Sequence, residues 1–408
     1  MGTTEQSWKK YRQVGVGTFK ATSRMKAMVT QVLDSGRISY GPLSMEFERR
    51  FAELHGCIYA ILSNSGTSAL QVALQAMKEL HRWEDGYEVI VPATTFVATA
   101  NIVLHCRMRP VFVDVDPLYY SIDPSLIEQA VTKKTCVVIP VHLFGQAAEM
   151  NIINGIVDNL GIRVIEDSCE TMFVKHFGRP VGSLGDIGCF STYVAHMIVT
   201  GVGGISTTND PQYAAKMRSL VNHGLELEHL NPDENFAPRP APGRRFRFAS
   251  PGHSFRITEL EAALGLAQLE NDEYLKMMRI RSRNADHLYA GLTIINRHYD
   301  DLLHLPTLAS GNTHCWMMFP IVLRKTDDGQ IVSKEPIMKW LNENGIETRD
   351  MLPILGQPAF SYLKREDYPV SDWIEQSGFY VGVHQDLEPD DIQYVVDRIG
   401  EFFDRQKE

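Results

Sequence analysis

Three short stretches of this chain place polar side chains at the ends of apolar runs, where they could do chemistry. The first is Ser63-Asn64-Ser65-Gly66-Thr67-Ser68-Ala69-Leu70, which leads into a helical pattern with Leu70, Ala73, Leu74 and Met77 among its apolar positions. Backbone N–H groups at a helix N-terminus, with hydroxyls beside them, make an anion site for a phosphate; the same residues would equally serve as a plain helix cap. The second, Ile165-Glu166-Asp167-Ser168-Cys169-Glu170, ends an apolar strand on carboxylates. The third runs from Gly185 through Ser191 and Tyr193 to His196 and Met197, then into Gly201-Val202-Gly203-Gly204. An imidazole with an unperturbed pKa near 6.5 can take and return protons at neutral pH.

The elements that must position these side chains are legible as alternating strand and helix patterns. Short β-rich runs fall at 59–62, 88–91, 110–115, 136–141, 163–166, 187–191 and 204–208, separated by helical periodicity. That alternation predicts an α/β fold with a mostly parallel sheet covered on both faces, whose ligands gather at the carboxyl ends of the strands. The polar clusters sit at those ends, joined by Thr94-Thr95-Phe96 after the second run. Between His223 and Gly252 the pattern breaks into prolines (Pro232, Pro238, Pro240, Pro242) and the basic run Arg244-Arg245-Phe246-Arg247, a long loop of the functional or disordered kind. Thr258-Glu259-Leu260-Glu261 has capping-box form and should restart a helix. A charged helix over 272–292 then carries the chain into a smaller α+β domain. The expected division is a large domain over 1–270, with an N-terminal arm, and a small one over 271–408.

The 408 residues are 44% hydrophobic and 22% charged, an ordinary globular balance. The net charge of −10 supplies no broad basic surface for nucleic acid. The N-terminus is polar, and no run approaches the ~20 apolar residues of a membrane span. Cys57, Cys106, Cys136, Cys169, Cys189 and Cys315 lie far apart with no CxxC pair, so neither a clustered metal site nor a disulfide framework is expected, and a reduced cytoplasmic setting fits.

In this order, the motifs resemble those of the DegT/DnrJ/EryC1/StrS sugar aminotransferases, which have the aspartate aminotransferase-like fold and use pyridoxal phosphate (PLP). The resemblance covers nearly the whole chain. It implies that Gly66, Thr67, Ser68 and Ser191 hold the cofactor phosphate, Phe96 stacks on the pyridine ring, and Asp167 keeps the ring nitrogen protonated. His196 stands where the family carries its Schiff-base lysine. An imidazole cannot take over the lysine's covalent link, so the cofactor would be held noncovalently and work as pyridoxamine phosphate (PMP). Glu170, where aminotransferases usually have Gln, is similar to the lysine-less 3-dehydratases, as are Gly345-Ile346-Glu347-Thr348-Arg349 and Ser377-Gly378-Phe379-Tyr380-Val381-Gly382-Val383-His384-Gln385.

That subgroup implies a dehydratase that removes the C3 hydroxyl of a nucleotide-linked 4-keto-6-deoxy sugar. His196 would be its base, glutamate its amino donor, and His223, Arg349 and His384 its substrate contacts. Residues 224–256 contain no cysteine, which argues against the iron-sulfur cluster of one branch. The family also implies a homodimer, with Ser254 reaching the partner's cofactor from Gly252-His253-Ser254-Phe255-Arg256 and the Arg244–Arg247 run as a further candidate. Ser254 replaces the family's Asn, Met197 the dehydratases' second histidine, and Val202 the Glu of Gly-Glu-Gly-Gly. An aminotransferase with atypical chemistry and an inert PLP-binding homologue are the alternatives.

Overall fold

The strands of the first two thirds are buried on both sides, and their alternate residues feed two separate cores. The computed structural model describes residues 13–226 and 246–407. Arg244, Arg245 and the prolines of the long loop lie outside the described residues; Arg247 is described and pairs with Glu226.

The large sheet comprises β1 (Tyr59–Ser63), β2 (Glu88–Pro92), β3 (Arg109–Val113), β4 (Thr135–Val138), β5 (Arg163–Asp167), β8 (Ile187–Ser191) and β9 (Gly204–Thr208). A small hairpin, β6 (Lys175–His176) with β7 (Arg179–Pro180), interrupts the series. The spatial order is β1-β9-β8-β5-β4-β2-β3, and β9 alone runs against the rest. Successive side chains of a strand point to opposite faces. Ala60, Leu62, Ile90, Phe190 and Ile205 therefore join one core, under α1 (Ser23–Ser35), α2 (Pro42–Leu54), α5 (Pro124–Ala130), α6 (Met150–Asp158) and α8 (Glu259–Leu269). Tyr59, Ile61, Val89, Val91 and Cys189 join the other, under α3 (Gly66–His81), α4 (Val97–His105) and α7 (Pro211–Leu220). The mostly parallel sheet covered on both faces is present as expected.

Two strands are shorter than their apolar runs. β3 stops at Val113, and Asp116 then accepts the N–H groups of Leu118 and Tyr119 to form a turn. β4 stops at Val138, before Pro140, which has no N–H to continue a ladder. Thr258 caps α8 as its sequence requires, accepting the Leu260 N–H at 3.3 Å while Glu261 accepts the Thr258 N–H.

Asn271 and Asp272, both at positive φ (52° and 55°), turn the chain from α8 into α9 (Glu273–His298). An antiparallel sheet follows in the order β10 (Leu303–His304), β11 (Phe319–Leu323), β13 (Gly378–Val381), β12 (Arg349–Asp350). It packs with α9, α10 (Glu335–Glu343) and α12 (Pro389–Lys407) around a third core, while α11 (Pro369–Ser377) sits toward the first. The N-terminal segment also packs on this unit. Val14 belongs to its core and pairs with the 345–347 backbone.

Candidate active site

A cavity of about 310 Å³ opens where the carboxyl ends of the large-sheet strands meet the second unit. Its floor is the turn into α3. Ser65 is the N-cap: its hydroxyl accepts the Ser68 N–H at 3.0 Å and donates to the Ser68 hydroxyl, which in turn donates to Asn64 Oδ1. Gly66 and Thr67 line the cavity, with the leading N–H groups that a helix cannot pair internally. Glycine is required at two close approaches here. A Cβ on Gly66 would lie 2.7 Å from Ser191 Cβ, and one on Gly204 would lie 2.1 Å from the Ser65 carbonyl oxygen. Gly66, Thr67 and Ser191 are thereby gathered into one cradle.

Asp167, at the end of β5, is buried and lines the cavity. It accepts the Thr99 hydroxyl at 2.7 Å and the Cys169 N–H at 3.2 Å, and Thr99 is itself bonded to Thr95. Burial pushes this carboxyl up, opposed by those bonds; its donors are neutral, so it is poised for a cation in the cavity. Burial likewise pushes Glu170 up to about 8, opposed by the Phe144 N–H and reinforced by the charge of Asp167. Its neighbour Glu166 is structural: it accepts the N–H groups of Gly182, Leu184 and Gly185 and the Nε2–H of His142.

His196 sits on a tight loop beyond β8. Thr192 and Thr200 bond each other across the loop, and the Thr192 N–H donates to the Gly203 carbonyl. His196 Nδ1 lies 3.1 Å from the Ser191 carbonyl oxygen. A carbonyl only accepts, so Nδ1 carries the hydrogen and the neutral ring presents Nε2 as its lone pair. Burial pushes the imidazole down to about 4, opposed by the Ser191 bond and helped by the charge of Arg281. The pKa expected from an unperturbed imidazole is corrected accordingly: the ring is neutral throughout the physiological range. Tyr193 packs edge-on against it, 6.0 Å between ring centroids.

The sequence profile of the DegT/DnrJ/EryC1/StrS aminotransferase family matches residues 20–400. The chain belongs to that family. Its members are PLP-dependent sugar-modifying enzymes. The chain is 32% identical over 392 residues to the GDP-perosamine synthase of Caulobacter vibrioides, covering 94% of this chain and 96% of that protein. It is 30% identical over 406 residues to the lipopolysaccharide biosynthesis protein RfbH of Salmonella typhimurium, covering 95% and 91%. Among solved structures it is similar to a GDP-4-keto-6-deoxymannose-3-dehydratase, a histidine-to-asparagine variant with bound GDP-perosamine. The TM-score is 0.83 at 25% identity, over 95% of this chain and all of that one.

Of the residues named from the sequence, the fold brings Gly66, Thr67, Phe96, Asp167, Glu170, Ser191, His196 and Arg349 to this one cavity. Four others lie elsewhere. Ser68 is spent in the cap behind the cradle. His223 is exposed and bonded through Nε2 to Arg256, which also donates to Ser254, so these three form a surface cluster outside the cavity. His384 is buried behind the wall, its Nδ1 accepting the Asp386 N–H and its ring pushed down to about 4 by burial. The fold also adds Val16, Thr95, Tyr193, Met317, Met318 and Tyr380 to the lining. Thr95 had a local signal, lying within Thr94-Thr95-Phe96. Tyr380 lay within the Ser377–Gln385 stretch, although His384 was the residue singled out there; Val16 comes from a distant part of the chain and had no signal.

Proposed function

We propose that this family member is a PLP/PMP-dependent 3-dehydratase acting on a nucleotide-linked 4-keto-6-deoxy sugar, with glutamate as amino donor. One observation carries the reading: among the described residues lining the cavity there is no lysine, and His196 presents a neutral Nε2 to it. The site fits the cofactor. The N-terminus of α3 with Thr67 and Ser191 suits a phosphate, exposed Phe96 offers a face for a flat ring, and Asp167 suits a protonated ring nitrogen.

When bound as PMP, the cofactor supplies an amine that joins the sugar's C4 carbonyl, together with an electron sink. The chain's own residues bind, orient and move protons. Asp167, held by Thr99 and the Cys169 N–H, fixes the ring nitrogen's charge. His196 Nε2 takes the proton whose removal lets the C3 hydroxyl depart, and returns it. Glu170, neutral at pH 7, offers a hydrogen-bond donor where an ionised carboxylate could not. A lysine would recapture the cofactor covalently and favour completed amino transfer to the sugar; its absence favours elimination. We place Ser254 and His223 at a homodimer contact, facing the partner's site.

Purified protein is to be incubated with GDP-, CDP- or TDP-linked 4-keto-6-deoxy sugar, PLP and glutamate. The expected product is a 3-deoxy-4-keto sugar, formed with 2-oxoglutarate and ammonia: the C3 hydroxyl leaves as water, and hydrolysis of the C4–N bond restores the ketone and releases the nitrogen. The likeness to a GDP-perosamine synthase favours a second reading, amino transfer to C4. Accumulation of a 4-amino sugar with its C3 hydroxyl intact would establish that reading and overturn the first.

A further inference from the structure

Val14-Gly15-Val16-Gly17-Thr18 runs as a strap beside the cavity, which Val16 lines. Its ends are fixed to the second unit. The Val14 N–H donates to the Gly345 carbonyl, the Glu347 N–H donates to the Val14 carbonyl, and the Thr18 hydroxyl donates to Asp386. Its middle is threaded through narrow gaps: a Cβ on Gly382 would lie 2.1 Å from the Gly15 carbonyl oxygen, and one on Gly17 would lie 3.0 Å from Ala195 Cα. The strap therefore touches the loop that carries His196, one residue before it.

One side chain joins this strap to the cationic wall. Glu347 accepts the Val16 N–H through Oε2 at 3.0 Å and the Arg349 Nε and NH2 groups through Oε1 at 2.9 and 2.7 Å. Arg349 lies beside Tyr380 across the β12–β13 ladder, and among the described residues lining the cavity it is the one permanently cationic side chain. We propose that Glu347 is a positioning residue: its two oxygens fix the strap at Val16 and the guanidinium of Arg349 together, so the Val16 wall of the cavity and its cationic group are set by one carboxylate. A carboxylate is needed because both oxygens must accept. An amide can satisfy one partner only, and turns N–H groups toward the other. Burial pushes Glu347 up, but the Val16 N–H and the Arg349 guanidinium outweigh it and hold the carboxyl below its usual range.

The test compares wild type, Glu347→Gln and Glu347→Asp in two arms. The first is amide hydrogen exchange at Val16 in the full chain, which needs no catalysis. The pair is half-exposed, so the expected gain in exchange for Glu347→Gln is about fivefold, with Glu347→Asp restoring most of the protection. The second arm rests on the proposed reaction, with Arg349 meeting the carboxylate of the amino donor, and measures glutamate kinetics: KM is expected to rise about fivefold for Glu347→Gln, with kcat within about threefold of wild type. Unchanged Val16 exchange in Glu347→Gln overturns the proposal, as does a glutamate KM that stays constant or falls. If wild type turns over no keto sugar with glutamate, the dehydratase reading fails, and the exchange arm still decides the role of Glu347.

Discussion

The protonation of His196 offers the sharpest quantitative check on the site. Burial holds the ring at about 4 rather than the ordinary 6.5, which corresponds to roughly 3 kcal/mol of preference for the neutral form. At pH 6 such a ring is about 99% neutral, where an unperturbed one would be about one quarter neutral. The sign for stability follows from proton counting. Because the folded pKa lies below the unfolded one, the unfolded chain binds more protons between about pH 6.5 and 4. The contribution is thus fully present above about 6.5 and is lost as pH falls through 4. Histidine ring NMR on the cofactor-free chain, with the signal assigned by its loss in His196→Asn, should show no His196 titration between pH 8 and 5. A midpoint between 6 and 7 would refute the burial argument and remove the reason for the fixed tautomer. The same variant lacks the basic Nε2 and should lose about 10²- to 10⁴-fold in turnover.

Four other outcomes follow from the geometry. Asp167→Asn should weaken cofactor retention about 10- to 100-fold in an absorbance titration, because a charge-assisted bond is replaced by a neutral one. Glu170, at about 8 in the fold against 4.5 unfolded, contributes stability that is present below about 4.5 and lost as pH rises through 8; Glu170→Gln should flatten that fall in urea unfolding of the cofactor-free chain at pH 5 and 8.5. Gly204→Ala drives a methyl against the Ser65 carbonyl and should cost about 1–3 kcal/mol or more in thermal unfolding. Thr258→Ala removes the α8 capping box and should cost about 0.5–2 kcal/mol, leaving the cavity intact.

The sequence carried what is local. Strand ends such as Asp167 and Ser191, the hydroxyl turn at Ser65–Ser68 and the capping box at Thr258 all announce themselves within a few residues, and the order of the motifs placed His196 among them. What tertiary packing decides was not legible. Whether Ser68 faces the ligand or closes its own helix cap depends on a rotamer shared with Asn64 and Ser65. The reversal of β9 leaves no trace in an apolar run that is buried on both faces whichever way it runs. His384 and Arg349 looked alike as polar residues near the C-terminus, yet only Arg349 points into the cavity, since His384 lies in the turn that seats the strap. The lowered pKa of the imidazole was not legible for the same reason: desolvation is a property of the assembled site.

Ser191 has two ends with different duties. Its side chain lines the cavity beside Gly66 and Thr67, where the proposed function seats a phosphate, and its carbonyl holds the His196 ring. A shift of the β8 end large enough to spoil the phosphate seat would also release the imidazole to flip. On the proposed function, misloading and chemical idleness would then be one event, and an enzyme without a covalent tether to its cofactor would be silent whenever that cofactor sits badly.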